Sequence, residues 1–265
     1  NHPFEGNLFS DQSFDDQKYS VMSYSQDSNV GAWIDSKYIF SVSSTPSLLD
    51  ITALQYLYGS QETTNLGNTT YTFEDGLPFA EAIWDAGGEA DLLDLSNFTT
   101  DMIVSLIDDT SSTIPTTIPT GTWEMTDNLG IAKGAIIENV IAGSGDDQII
   151  GNAENNVLTG GAGADIFIFD LYRNGSIGDD LILDFDVGTD KLVVVADDGE
   201  ILNTDDLTGA VSKIVDGYSA TNSGSELLIW LGVDDQIALH GVTDVTVDDT
   251  FFLEPTLYLE ILDLA

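Results

Sequence analysis

A nine-residue interval dictates what this chain can fold into between positions 142 and 168. The stretch divides into AGSGDDQII (142–150), GNAENNVLT (151–159) and GGAGADIFI (160–168). Each unit spends six residues on small, amide and acidic types. Three more surround a large apolar residue, which is Ile149, Leu158 or Phe167. Six residues of that kind make a turn, and three with an apolar centre make a brief strand. The chain therefore winds. One unit is half a coil, so strands two units apart stack on the same side and the apolar centres line a thin core.

A core that thin needs a second source of stability. Glycine permits the backbone conformations of a tight turn and leaves its carbonyls uncovered. Asp147 and Asp165 recur at the same place in their units. Carbonyls and carboxylates are hard oxygen donors, and calcium takes about six to eight of them. The units match the nonapeptide G-G-x-G-x-D-x-U-x, in which U is apolar and the product is a calcium-binding parallel β-helix. Turns 142–147 and 160–165 are expected to clasp one ion. The middle turn, GNAENN, carries Asn156 where Asp is expected. It has no like turn at FDLYRN (169–174) and faces GAIIEN (134–139), so weaker sites are expected beside the good one. The competing reading is a run of Gly-Asp turns joining ordinary hairpins. Three units in phase, with their apolar residues in register, weigh against it.

Composition narrows the partners. Among 265 residues, 6 Lys and Arg stand against 46 Asp and Glu, a net charge of −40. So acidic a surface repels nucleic acid and anionic membranes and favours cations, supplied by bound calcium or a salty medium. A hydrophobic fraction of 42% is ordinary for a globular chain and argues against disorder. The absence of Cys excludes disulfides and thiolate metal sites. No apolar run approaches the ~20 residues of a membrane span, and residues 1–20 are too polar for a signal peptide.

Three regions separate along the chain. In the first, SLLDITALQYLYGS (47–60) predicts a helix: Leu49, Ala53, Leu54 and Leu57 recur at helical spacing, Ser47 caps it and Gly59 stops it. Residues 63–140 read as short strands and turns, with alternation in TTYTFED and a turn at DAGGEAD. TSSTIPTTIPTGT (110–122) reads as a loop or edge excursion. Residues 141–250 are strands punctuated by Gly and Asp, such as LILDFDVGTDKLVVV.

Several segments, in consistent order, resemble the serralysins: YSVMSY (19–24), LLDITALQYLYG (48–59), YTF (71–73), AIWDAGGEADLLDLSNF (82–98), IIENVIAGSGDD (136–147) and LILDFDVGTDKLVV (181–194). Serralysins are secreted zinc metalloproteases of the metzincin group with a C-terminal β-roll. The resemblance runs from about residue 1 to about residue 253. It implies a mainly β chain: a parallel β-roll and β-sandwich C-terminal domain at 63–253, preceded by a partial α+β metzincin catalytic remnant at 1–62 and followed by a tail at 254–265.

The resemblance also carries site residues across. NHP at 1–3 matches the end of H-E-x-x-H-x-x-G-x-x-H, so His2 would be the third zinc ligand. Met22 would form the floor beneath the metal, and Tyr24 would ligate zinc and help stabilise the tetrahedral intermediate. The two upstream His and the Glu general base are not in this chain, and the other His is the distant His240. By this reading the chain alone lacks a competent Zn2+ site. For Ca2+, the resemblance implies carbonyls of Gly143 and Gly145 with the Asp147 carboxylate, facing carbonyls of Gly160 and Ala162 with the Asp165 carboxylate. Asp180 would close the last site, although its usual acidic companion is replaced by Arg173. Upstream, Asn65, Gly67 and Thr69 would face Asp85, Gly87 and Asp91 across one ion. Gly88 and Asp91 would share another with Ile136 and Glu138. DAGGEAD is one residue longer than the family's turn.

The implied function is the C-terminal part of a secreted, extracellular, calcium-stabilised zinc endopeptidase acting on proteins and peptides. Its implied partners are the upstream half of the catalytic domain and an ABC-type exporter, with no nucleic acid and no membrane insertion. DDTFFL (248–253) resembles the acidic-then-hydrophobic export signal, though EPTLYLEILDLA follows it. The alternative is a non-catalytic calcium-binding RTX module serving export, folding or adhesion.

Overall fold

The computed structural model describes residues 20, 31–34, 37–40, 43, 45–118, 121–123, 125–195, 201–202, 219–222, 226–230 and 235–242. His2, Met22, Tyr24 and the 248–265 segment lie outside the described residues.

The nine-residue units wind as their period requires. Gln148–Ile150 pairs in parallel with Ile166–Asp170, with Gln148 opposite Ile166. Asn139–Ile141 pairs in parallel with Val157–Thr159, with Asn139 opposite Val157. Both offsets are 18 residues, two units, so alternate units build two facing sheets. One sheet runs, from its edge, Thr70–Thr72, Leu92–Asp94, Asn139–Ile141, Val157–Thr159, Asp179–Ile182, Gln236–His240, Glu226–Trp230 and Ser219–Asn222. The other runs Ile103–Ser105, Gln148–Ile150, Ile166–Asp170, Lys191–Val195 and Ile201–Leu202.

Register explains the core. Leu93, Val140, Leu158 and Ile182 lie side by side in the first sheet, and Val104, Ile149, Phe167 and Leu192 in the second. All eight are buried in one continuous cluster. Burying each such side chain contributes about 1.5–3 kcal/mol relative to leaving it exposed. A second cluster was not foreseen from the repeat. Ile150, Ile168, Val193 and Val195 are buried on the opposite face of the second sheet, with Ile103, Ile107 and Ile166 packed against them. The last position of a unit is thus buried in that sheet, whereas Thr159 in the other is half-buried.

Of the two readings of the Thr/Pro stretch, a loop or an edge excursion, the structure has the second. Thr110–Ser112 is a strand at the edge of a small sheet, paired antiparallel with Leu129–Ile131. Thr116–Ile118 and Gly121–Trp123 form a hairpin. The β-branched residues favour strand, and their hydroxyls satisfy neighbours: Thr116 Oγ1 donates to Asp75 Oδ1 at 2.8 Å. The expected helix spans Leu48–Tyr58, with the Ser47 N–H donating to Asp50 Oδ2 at 3.0 Å and Gly59 at φ 81° ending it. None of its residues is buried, however, and Leu54, Leu57 and Tyr58 are exposed.

Stacking of the turns leaves no room for a Cβ at several glycines, two of them at positive φ in turn 160–165. Gly161 (φ 97°) lies against the Gly143 carbonyl, and Gly163 (φ 138°) against that of Gly145. Gly161→Ala would set Cβ into the Gly143 oxygen in a conformation that L-residues avoid. It is expected to lower Tm by about 3–6 °C in a calorimetric scan.

Candidate metal centre

Residues at or just before the start of the short strands carry hydrogen bonds from one coil to the next. On the second sheet those residues are Met102, Asp147, Asp165 and Asp190. The Met102 N–H donates to Asp147 Oδ1 at 2.9 Å, the Asp147 N–H to Asp165 Oδ1 at 2.9 Å, and the Asp165 N–H to Asp190 Oδ1 at 3.0 Å. Each aspartate thus accepts from the coil before it, and a column of three carboxylates rises at the strand spacing of about 4.8 Å. Asp147, Asp165 and Asp190 are all at most 3% exposed. Among the described residues, no Lys, Arg or His meets them.

Burial dominates their electrostatics. It pushes the Asp147 carboxyl up to about 7, with the charges of Asp165 and Asp101 adding to the effect and the N–H groups of Gly143 and Met102 opposing it. Burial likewise pushes Asp165 up to about 6, with Asp190, Asp184 and Asp146 contributing. Asp190 is raised for the same reason. A carboxylate forced toward its neutral form by burial beside other carboxylates is a group that a cation would return to its ionised state.

The expected ligands of turns 142–147 and 160–165 are brought together. The Gly143 carbonyl accepts the Ala162 N–H at 3.1 Å and keeps a second lone pair. The Gly160 and Gly161 N–H groups donate to the two oxygens of Asp184 at 2.9 and 2.8 Å.

Asp184 and Asp190 are the acids that sequence reasoning missed. A signal for Asp190 was present: GTDKLV (188–193) repeats the Gly-x-Asp-x-apolar-x order of GDDQII and GADIFI. The backbone follows suit. The Asp186 N–H donates to Asp190 Oδ2 at 2.7 Å, as the Gly143 N–H does to Asp147 Oδ2 at 3.0 Å. The insertion of a four-residue helix, Leu171–Asn174, displaced that unit from the nine-residue frame.

On the first sheet the corresponding positions are Thr69, Asp91, Glu138, Asn156 and Asp180. The Thr69 N–H donates to Asp91 Oδ1 at 2.6 Å, the Asp91 N–H to Glu138 Oε2 at 2.7 Å, and the Asn156 N–H to Asp180 Oδ1 at 2.9 Å. Burial raises Asp91 and Glu138, and lifts Asp180 to about 8 with help from Asp179 and Asp235. Asp91 Oδ2 and Asp180 Oδ2 are buried and have no hydrogen-bond partner among the described residues. The expected upstream set also converges. Tyr71 Oη donates to Asp85 Oδ2 at 2.7 Å, Asn65 Nδ2 donates to Tyr71 Oη at 2.9 Å, and the Gly87 N–H donates to Asp85 Oδ1 at 3.0 Å. Gly88 packs against the Asp91 carboxylate so closely that no Cβ would fit. Ile136 lies two residues before Glu138, in the same turn, and is exposed.

These donors fit calcium. Among the described residues, no three His, Cys, Asp or Glu side chains converge as a metal cluster. Backbone carbonyls beside one or two carboxylates would make up the oxygen-rich set that calcium accepts. The orphaned oxygens of Asp91 and Asp180 are open acceptors for it. Arg173, which stands where the resemblance expects an acidic companion for Asp180, lies on the short helix, its backbone N–H donating to Asp170 Oδ1 at 2.9 Å.

Known proteins are similar to this chain in sequence. The chain is 35% identical over 156 residues to a protein described as metallopeptidase AprA from Pseudomonas marginalis, covering 54% of this chain and 31% of that one. It is 34% identical over 165 residues to a serralysin of Proteus mirabilis, covering 58% and 31%, and 33% identical over 154 residues to serralysin G of Dickeya chrysanthemi, covering 54% and 29%. The matched region thus spans about a third of the length of these curated relatives. No helix among the described residues is long and apolar enough to cross a membrane. The family described as Peptidase M10 serralysin C terminal matches residues 49–249, which take in the helix, both carboxylate columns and the roll, and the chain belongs to that family.

Proposed function

We propose that this chain is the C-terminal, calcium-stabilised part of a secreted zinc endopeptidase that hydrolyses peptide bonds in proteins. One observation carries the calcium reading: Asp147, Asp165 and Asp190 are buried one above the other, and among the described residues no cationic side chain lies between them. In this reading Gly143, Gly145 and Asp147 hold an ion with Gly160, Ala162 and Asp165. Asp180 serves a site beside turn 151–156. Asn65, Gly67, Thr69, Asp85 and Gly87 serve the upstream pair of sites with Gly88, Asp91, Ile136 and Glu138. Calcium, when bound, would supply positive charge that neutralises the columns and ties neighbouring coils together. Equilibrium dialysis against calcium is expected to find more than one ion per chain, and a chain that binds none would overturn this part.

The serralysin relatives support the peptidase part. His2 is the proposed third ligand, Met22 the floor and Tyr24 the hydroxyl beside the zinc, which when bound would polarise the scissile carbonyl and activate a water. The exposed apolar helix supports a partner for it. Leu54 and Leu57 are 48% and 65% exposed beside a groove of about 430 Å³ walled by Ile51, Tyr71, Phe73 and Trp84, a surface suited to the upstream half of a catalytic domain. The 1–265 polypeptide alone is expected to bind zinc weakly and to leave a fluorogenic peptide uncut, and adding the upstream half is expected to restore both functions. Robust cleavage by the 1–265 polypeptide alone would overturn the assignment of His2. Export through an ABC-type exporter, with its signal in 248–265, completes the reading.

A further inference from the structure

We propose that one gap in the roll is closed by protein alone: the side-chain amides of Asn152 and Asn156 join turn 151–156 to the coil of Ile137 and Glu138, where a cation would otherwise sit. The proposal rests on the calcium reading of the neighbouring turns.

The comparison is between equivalent positions of one repeat. The flanking turns have Gly143 and Gly161 at the second position and Asp147 and Asp165 at the sixth, whereas the middle turn has Asn152 and Asn156. Its backbone frame is unchanged, for the Asn152 N–H donates to Asn156 Oδ1 at 3.0 Å, as Gly143 does to Asp147. What differs is the side facing the adjacent coil. Asn156 Nδ2 donates to the Glu138 carbonyl at 3.0 Å and to Asn152 Oδ1 at 2.8 Å. Asn152 Nδ2 donates to the Ile137 carbonyl at 2.9 Å and to the Leu106 carbonyl at 3.1 Å. Asn152 Oδ1 also accepts the Glu154 N–H at 3.0 Å. Both amides are buried, and all four amide hydrogens and both lone pairs of Asn152 are used.

The chemistry follows from charge. The carbonyls that would face an ion between these coils instead face N–H groups. An amide NH2 offers them partial positive charge without a net charge. Reversing the Asn156 amide would set its oxygen against the Glu138 carbonyl, so the orientation is fixed by the acceptors around it. A cation entering the gap would meet the amide hydrogens and would have to displace a saturated network. The first-sheet column therefore carries acids on either side of one neutral link, and that link holds at any calcium concentration.

The test uses the full chain, with Tm measured in calcium and in chelator and bound calcium counted per chain. Asn152→Ala removes four side-chain hydrogen bonds and strands buried carbonyls. It is expected to lower Tm by about 5 °C in both buffers and to leave the calcium count unchanged. Loss of one ion, or a Tm loss confined to the calcium buffer, would overturn the proposal. Asn156→Asp keeps the shape but turns a donor into an acceptor facing Glu138 and Asn152. In chelator it is expected to fall below the parent by a similar amount, and parent-like stability there would equally overturn the clamp. A parent chain that binds no calcium would instead defeat the calcium reading, and the chelator measurements would still decide the clamp.

Discussion

Replacing Asp147 and Asp165 together with Ala is expected to remove at least one calcium ion per chain and to lower Tm in calcium by about 5–10 °C. A ligand that binds only the native state stabilises it by RT ln(1 + [L]/Kd), about 2.7 kcal/mol at 100-fold excess over Kd. For a domain of 150–250 residues, each kcal/mol moves Tm by about 2–4 °C. Chelating the parent is expected to have the larger effect, because every site empties at once. The three buried carboxylates of the second sheet are then left facing one another, and the strands that carry them are short. Hydrogen exchange should show the region from about 134 to 190 opening before the rest. A double variant that binds as many ions and melts at the same temperature as the parent would remove the basis for placing an ion between these turns.

In chelator, stability is expected to fall as pH rises from about 5 to 8, by about 5–10 °C in Tm. The sign comes from linkage. An unfolded aspartate titrates near ~3.9. In the folded chain Asp165 titrates at about 6, Asp147 at about 7 and Asp180 at about 8, all raised by burial first and by neighbouring acids second. Between ~4 and those values the folded chain holds protons that the unfolded chain has released, so stability declines with rising pH across that window. Saturating calcium keeps these groups ionised and is expected to flatten the slope. Asp147→Asn with Asp165→Asn should flatten it in chelator too, which separates the column from general self-repulsion of a chain with a net charge of −40. Stability that rises from pH 5 to 8 in chelator would show that the columns do not govern the calcium-free chain.

The sequence by itself determined the coil. The nine-residue interval set the 18-residue pairing offset, the apolar centres that reach the core, and the equivalence of Asp147 and Asp165. It also marked the helix ends at Ser47 and Gly59. These features are local or strictly periodic, so residue type and spacing suffice. Only the tertiary structure decided how each turn meets the next. Asp190 joins the second-sheet column from a unit pushed out of frame by the helix Leu171–Asn174, and interval reading fails wherever an insertion breaks the count. The Asn152 link depends on carbonyls of Leu106 and Ile137, 46 and 15 residues away. The helix Leu48–Tyr58 carries helical spacing yet buries none of its residues and leaves Leu54 and Leu57 exposed, because spacing fixes a face and not what lies against it. Turn chemistry is written in each unit, but which groups of one turn meet those of the next is settled only when the coils stack.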